Sequence, residues 1–164
     1  MKTFAKWAIL VLILYILQTS LLPLISYNGV SPNLMLLLTV SVAFLLGHRY
    51  GVFVGFIVGL LQDLTSGSYF GCVTFSYMVI GLLCGKFSDQ IFKDQFLLPV
   101  LSSFFTSTIH YFIMVMFIVL LGYQLDFQWS LQYTLIPLLC WQFLFAYPVY
   151  KLVFEFDKRV SVKR

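Results

Sequence analysis

The chain has 164 residues, of which 61% are apolar and 10% charged, and its formal net charge at pH 7 is +4. A typical soluble domain is about 45–50% apolar and about 25% charged, and a fold of this size must expose many residues to water. The composition therefore excludes a soluble enzyme, a disordered tail and a disulfide-stapled secreted module, and it predicts a polytopic membrane protein.

Six apolar runs, separated by short polar or turn-forming segments, predict an all-α protein in which residues 1–164 form one integral membrane domain. One helical crossing takes roughly 20 residues, so this length accommodates six crossings. The predicted helices span residues 4–25, 32–46, 51–64, 69–85, 96–121 and 131–154. The first run is too long for a signal-peptide core and is interpreted as an uncleaved crossing. Residues 47–50 are predicted to be a tight connection, and Pro137 and Pro148 predict bends in the last helix.

The basic residues predict the orientation of these helices. If the N-terminus is placed inside, nine of the 10 Lys and Arg residues fall in inward-facing segments. The tenth, Lys151, lies four residues before the inward-facing tail. The outward segments 26–31, 65–68 and 122–130 contain no Lys or Arg. By the positive-inside rule, both termini are expected in the cytoplasm, and the basic balance indicates a lipid bilayer as partner rather than nucleic acid.

Glycine recurs every four residues at Gly47, Gly51, Gly55 and Gly59, and Asp63 continues this spacing. Residues four apart share a helix face, so the third helix is expected to have a groove with almost no side chains. Small residues in this pattern let helix backbones approach closely in membranes. Two interpretations stay open, namely packing against the second or fourth helix and docking of a partner's transmembrane helix.

Asp63 is the one acidic residue predicted at membrane depth, near the outer interface. Intramembrane acids are costly and often functional. The first interpretation is that Asp63 orders the adjoining turn, satisfied by water or by the hydroxyls of Thr65, Ser66 and Ser68. The second is a role in partner binding or transport.

A polar face is predicted on the fifth helix, where positions i, i+3, i+4 and i+7 are Ser103, Thr106, Ser107 and His110. A polar face of a membrane helix is expected to point inward. Hydrogen bonding between helices explains this face, and a substrate cavity or a proton relay through His110 is the alternative. The sequence contains no catalytic motif and no cysteine spacing typical of a metal site. No catalytic residue, cofactor or metal is expected.

The segment from Pro32 to Gly71 resembles the bacterial rod shape-determining MreD family. It contains a Gly-Phe-x-x-Gly-x-x-x-Asp stretch, a Gly-Ser turn and another glycine, and the matching residues are Pro32, Asn33, Gly55, Phe56, Gly59, Asp63, Gly67 and Gly71. The resemblance implies a non-enzymatic scaffold of the cell-wall elongation machinery, located in the bacterial cytoplasmic membrane. It also implies binding to MreC, a single-pass membrane protein. The same assembly would contain the actin-like MreB filament, the RodA glycosyltransferase and its penicillin-binding transpeptidase.

The resemblance further implies a six-helix fold like that of the substrate-binding subunits of energy-coupling-factor vitamin transporters. A partner-binding role is hypothesised for Gly51, Gly55, Phe56, Gly59, Asp63, Gly67 and Gly71. The alternative function is a substrate-capture subunit of such a transporter, with Ser103, Ser107 and His110 lining the site. The first helix lacks the Ala-x-x-x-Ala signature that such subunits use for coupling, which counts against this alternative. An autonomous ion or proton transporter is disfavoured because ionisable groups at membrane depth are scarce.

Overall fold

The structure is a computed structural model that describes residues 2–66, 70–88, 97–124 and 126–161. Within these ranges it is all-α and contains no strand, which confirms the predicted class. The helices are α1 (Lys2–Ser20), α2 (Leu34–Leu46), α3 (His48–Ser66), α4 (Cys72–Ser88), α5 (Leu97–Leu120), α6 (Phe127–Ser130) and α7 (Ile136–Ser161). A 3-10 turn at Leu22–Ile25 follows α1, and a π-helical turn at Leu131–Leu135 joins α6 to α7.

Only Gly47 separates α2 from α3, so the prediction of a connection over residues 47–50 is wrong. Gly47 has a φ of +88°, a conformation that favours glycine, and its N–H donates to the Ala43 carbonyl over 3.0 Å. Helix α3 begins with the polar residues His48 and Arg49, which the first turn of a helix can accommodate. The helix therefore has 19 residues. Its length is about 28 Å, longer than the predicted helix over 51–64.

Three other predicted helices also differ clearly from those in the structure. The predicted helix over 69–85 lies three residues further on, at Cys72–Ser88. The predicted helix over 4–25 ends at Ser20, and Pro23 lies in the 3-10 turn that follows. The predicted helix over 131–154 is the middle of a continuous helical run from Phe127 to Ser161. This run passes through Pro148. Its π turn lies just before Pro137, which has no N–H to donate to the preceding turn.

The centre of the bundle is α2, in which every residue from Leu34 to Phe44 is buried. It packs against α1, α3, α4, α5 and α7. A helix that is apolar all round is typical of the core of a large protein or of a membrane bundle. The other helices therefore surround α2 and present their remaining surfaces to the outside.

At one end of the bundle, contacts join the end of α1, the start of α2 and the early part of α7. The Gln18 side chain accepts a hydrogen bond from the Met35 N–H over 2.9 Å, and the Gln142 amide donates to the Asn33 carbonyl over 3.3 Å. The end of α3 meets the start of α4 through Asp63. We call this the polar end.

At the opposite end, the start of α1 meets the end of α7. The rings of Trp7 and Phe156 lie edge to face, with their centroids 5.2 Å apart. The start of α3 meets the end of α4, where the backbones of His48 and Gly85 are in contact. The described Lys and Arg side chains near these helix ends are Lys6, Arg49, Lys86, Lys158 and Arg159. We call this the basic end.

Among the described residues, two helical stretches are long and apolar enough to cross a membrane, Val100–Leu120 and Gln128–Arg159. Shorter apolar helices cover Lys6–Ser20, Leu34–Leu46 and Cys72–Phe87. By this measure, the predicted count of six spans is not confirmed. In the apolar part of the first stretch only 22% is buried inside the structure, and in that of the second only 28%. Most of their apolar residues therefore face outward. Soluble proteins rarely expose such large apolar surfaces, which agrees with a membrane environment.

Helices α3 and α4 run antiparallel with their backbones in direct contact. A methyl group built on Gly55 would lie 2.6 Å from the carbonyl oxygen of Tyr77, and one built on Gly59 would lie 2.6 Å from the Cα of Thr74. One built on Gly51 would lie 2.7 Å from the carbonyl oxygen of Gly81. The glycine face of α3 is therefore filled by α4, as the internal-packing interpretation requires.

We predict that Gly55→Leu lowers the stability of the protein itself, in the absence of any partner. The added side chain forces α3 and α4 apart, and overpacking of this kind typically costs about 1–3 kcal/mol or more. The measurement is the apparent melting temperature of the detergent-purified protein. Phe53→Leu is the matched control, because Phe53 lies on the same helix but is exposed. Equal melting temperatures for Gly55→Leu and the control would contradict the backbone contact.

Candidate functional site

The first backbone N–H groups of a helix have no partner within the helix, and an unpaired N–H is costly in an apolar environment. At the start of α4, Asp63 of α3 satisfies these groups. Its carboxylate accepts from the N–H of Val73 over 3.2 Å and from the N–H of Thr74 over 2.9 Å. It also accepts from the Thr74 hydroxyl. Asp63 is only 2% exposed, so α3 caps α4 with a buried carboxylate.

Of the side chains expected to satisfy Asp63, only Thr65 lies among the described residues, and for Thr65 the expectation is wrong. The Thr65 hydroxyl donates to the carbonyls of Leu61 and Gln62 instead. The side chains of Ser66 and Ser68 lie outside the described residues. The end of α3 disfavours a negative charge, but the positive end of the α4 dipole lies against the same carboxylate and favours it. Asp63 therefore anchors the neighbouring helix.

The start of α2 is capped in a similar way. The Asn33 side chain accepts from the N–H of Leu36 over 3.1 Å, and the Asn33 carbonyl accepts from the N–H of Leu37 over 3.3 Å. The side chain of Gln18, on α1, accepts from the N–H of Met35 over 2.9 Å. Asn33 thus caps the helix that it precedes, while Gln18 caps α2 from another helix.

Four of the surrounding helices meet Asn33 in one group of side chains, which we call the amide cluster. Its members are Gln18 of α1, Asn33, Gln62 of α3, Tyr77 of α4 and Gln142 of α7. The Tyr77 hydroxyl lies 2.8 Å from Asn33 Oδ1 and 3.0 Å from Gln62 Oε1, so its one hydrogen is shared between two acceptors. The Gln18 amide donates to the same Gln62 oxygen over 3.4 Å. The cluster therefore joins five segments of the chain at the polar end of the bundle.

One buried atom of the amide cluster has no hydrogen-bond partner among the described residues. Gln142 is fully buried, and its Nε2 donates to the Asn33 carbonyl, but its Oε1 is buried without a donor. Buried polar groups are nearly always paired, because an unpaired one loses its water without compensation. The amide orientation is fixed by this geometry, since the opposite orientation would set an oxygen against the Asn33 carbonyl.

Sequence reasoning missed four members of this cluster, namely Gln18, Gln62, Tyr77 and Gln142. A signal was present, because an amide inside an apolar run is typical of hydrogen bonding between membrane helices. What the sequence does not contain is the relative rotation of the helices, which determines whether such amides meet. Asn33 was singled out only through the family resemblance.

The predicted polar face of α5 does lie inside the bundle, with Ser103, Thr106 and Ser107 all buried. Their hydroxyls donate to carbonyls of α5 itself, over 2.7 to 3.1 Å, and so do not join α5 to its neighbours. His110 makes the contact between helices, because its Nδ1 lies 2.7 Å from the Ser76 hydroxyl of α4. Its ring also packs against Tyr77, with centroids 5.4 Å apart.

The residues hypothesised to bind a partner do not form one surface. Gly51, Gly55 and Gly59 face α4, and a partner helix could occupy their groove only if α3 and α4 separated. Asp63 is buried against α4, and Gly71, with a φ of +94°, precedes α4. Phe56 is 44% exposed and faces outward. Gly67 lies outside the described residues. The geometry of the glycine groove therefore favours internal packing over partner docking.

The chemistry that these side chains can perform is binding and positioning. Across the described ranges, no group of three or more His, Cys, Asp and Glu side chains could hold a metal ion. Asp63 and the amides of the polar end direct their hydrogen bonds at helix ends and at one another. The site is thus a structural junction that fixes how four helices meet α2.

We predict that Asp63→Ala lowers the stability of the purified protein by about 3 kcal/mol, since two backbone N–H groups and one hydroxyl lose their acceptor inside the bundle. The measurement is again the apparent melting temperature in detergent. Thr65→Val is the control on the same helix turn, and its effect should stay within about 0.5 kcal/mol, because it removes an exposed hydroxyl. A fully stable Asp63→Ala variant would show that the capping bonds contribute nothing.

Comparison with known proteins gives one match. Neither a curated protein nor a solved structure matches the chain. The family model described as rod shape-determining protein MreD matches residues 1–160 of the 164-residue chain. The match extends well beyond the segment 32–71 that carries the sequence resemblance, and it includes every member of the amide cluster. Because it covers nearly the whole length, the chain belongs to the rod shape-determining protein MreD family.

Proposed function

We propose that the chain is a non-enzymatic membrane scaffold of the bacterial cell-wall elongation machinery. It would bind MreC and link it to MreB, to RodA and to the penicillin-binding transpeptidase. Family membership already indicates a membrane protein with a role in rod shape determination. The observation that carries the scaffold role is the use of the buried polar groups, because Asp63, Asn33 and Gln18 cap helices and so hold the bundle together. The vitamin-transporter alternative has no observation in its favour.

The proposed topology has six spans, with both termini in the cytoplasm. This topology is supported by the charges, because the described Lys and Arg side chains near helix ends all lie at one end of the bundle, the basic end. The turns at the polar end contain no Lys or Arg. Cytoplasmic segments of membrane proteins carry an excess of these residues. The basic end would then face the cytoplasm, and the amide cluster would lie towards the outside.

For the partner, we propose that the single transmembrane helix of MreC packs on the outward face of α3. The glycine groove of this helix is filled by α4, so only the outward face is open to another protein. Phe53 and Phe56 are 53% and 44% exposed on that face. Phe56 also belongs to the Gly-Phe pair that resembles the family, which favours α3 over the other exposed apolar helices.

The topology predicts which positions an impermeant maleimide can label in intact cells. In a cysteine-free background, Tyr27→Cys, in the exposed turn after α1, should be labelled from outside. Lys158→Cys, near the end of α7, should be labelled only after the membrane is permeabilised. Labelling of Lys158→Cys in intact cells would overturn the proposed orientation.

The scaffold role predicts that this chain restores rod shape to a rod-shaped host depleted of its own MreD, and that it co-purifies with MreC.

The double change Phe53→Ala and Phe56→Ala should reduce co-purification severalfold while insertion stays normal. The matched control is Phe104→Ala with Phe105→Ala, two exposed aromatics on α5. Equal losses in both variants would rule out the α3 face. Failure of the unchanged chain to restore rod shape or to bind MreC would contradict the scaffold role.

A further inference from the structure

At one place on the basic end, two exposed cations from different helices lie next to a close contact between those helices. His48 and Gly85 are in backbone contact, so close that a methyl group on Gly85 would overlap the Cα of His48. Arg49 directly follows His48, Lys86 directly follows Gly85, and both of these cationic side chains are exposed. Because α3 and α4 run antiparallel, one step along each helix from this contact turns both side chains towards the same side of the helix pair, so Arg49 and Lys86 share that side.

Both cations lie on regular helical backbone, close to a helix end. Arg49 lies in the first turn of α3, which only Gly47 separates from α2, and Lys86 lies in the last turn of α4. The N–H of Gly51 donates to the Gly47 carbonyl over 3.0 Å and closes that first turn. The charges are thus attached to packed helices rather than to a long loop. A ligand that uses both would lose little free energy in ordering them.

An exposed aromatic residue follows each cation along its helix. Tyr50 follows Arg49 and Phe87 follows Lys86, and both rings are 58% exposed. Aromatic rings are enriched at the level where lipid headgroups meet the hydrocarbon. The basic end of the α3–α4 pair therefore carries two positive charges on one side, flanked by an apolar ring one position further round each helix.

We propose that Arg49, Lys86, Tyr50 and Phe87 form a binding site for the headgroup of an anionic phospholipid such as phosphatidylglycerol. The guanidinium and the ammonium would bind the phosphate, which Arg can contact with two parallel N–H donors. The rings would pack on the glycerol and on the first carbons of the acyl chains. Free inorganic phosphate would use the cations alone, and the rings are the reason to favour a lipid.

The chain supplies a matched control at the same end of the bundle. Lys158 and Arg159 carry the same charge as Arg49 and Lys86, but they are consecutive on α7 and point in different directions around that helix. The Lys158 ammonium already lies 4.6 Å from the centre of the Phe154 ring. These residues add to the general positive charge of the basic end without forming a two-helix site.

The test is a titration of the detergent-purified full chain with phosphatidylglycerol, with retained lipid counted by native mass spectrometry. The variants are Arg49→Gln with Lys86→Gln and, as control, Lys158→Gln with Arg159→Gln. A cation near anionic lipid contributes about 1 kcal/mol, so loss of both should weaken phosphatidylglycerol binding about thirtyfold. Phosphatidylcholine and inorganic phosphate are titrated in parallel, and both should bind much more weakly to the unchanged protein.

Three results would each overturn the site. The first is an equal loss of binding in the two double variants, which would leave only a general attraction of the basic end. The second is equal binding of phosphatidylcholine, and the third is equal binding of inorganic phosphate. None of these measurements involves MreC or cell shape, so the lipid site can fail while the scaffold role stands, and the reverse also holds.

Discussion

The structure depends on one constraint, which is that helices beginning inside an apolar environment must find acceptors for their first N–H groups. Water is scarce there, so another part of the chain must supply them. For α4 the acceptor is the Asp63 carboxylate of α3, and for α2 it is Asn33 together with the Gln18 amide of α1. Each cap from a neighbouring helix fixes the height and the rotation of one helix against another. The polar end is therefore well defined although the chain has few polar residues.

The glycines of α3 and the Asp63 cap act together. Close approach of α3 and α4 is possible because Gly51, Gly55 and Gly59 have no side chains, and the same approach brings Asp63 within reach of the α4 N–H groups. The four-residue spacing continues from the last glycine to the acid, so both features lie on one face of α3. Packing by dispersion and capping by hydrogen bonds therefore support the same helix pair, which is the most extensive helix contact in the bundle.

The helical class and the glycine face of α3 could be predicted from the sequence, because each depends on hydropathy or on spacing along one helix. The partner of Asp63 could not, because its donors belong to residues ten and eleven positions further on, after a turn whose path the sequence leaves open. The amide cluster was missed for the same reason, since Gln18 and Gln142 come together only through the packing around α2. The connection at Gly47 was predicted too long because a polar His48 and Arg49 suit both a loop and a helix start.

The unpaired oxygen of Gln142 has a consequence for how firmly α7 is held. At the polar end, the hydrogen bond from Gln142 Nε2 to the Asn33 carbonyl is 3.3 Å long, while Gln142 Oε1 is buried without a donor among the described residues. An apolar side chain of similar size would avoid a loss of about 1–3 kcal/mol. An apolar residue at position 142 is therefore expected to raise the free energy of unfolding, as single changes in natural proteins often can. Position 142 is thus a natural starting point for engineering a more robust form of this membrane protein.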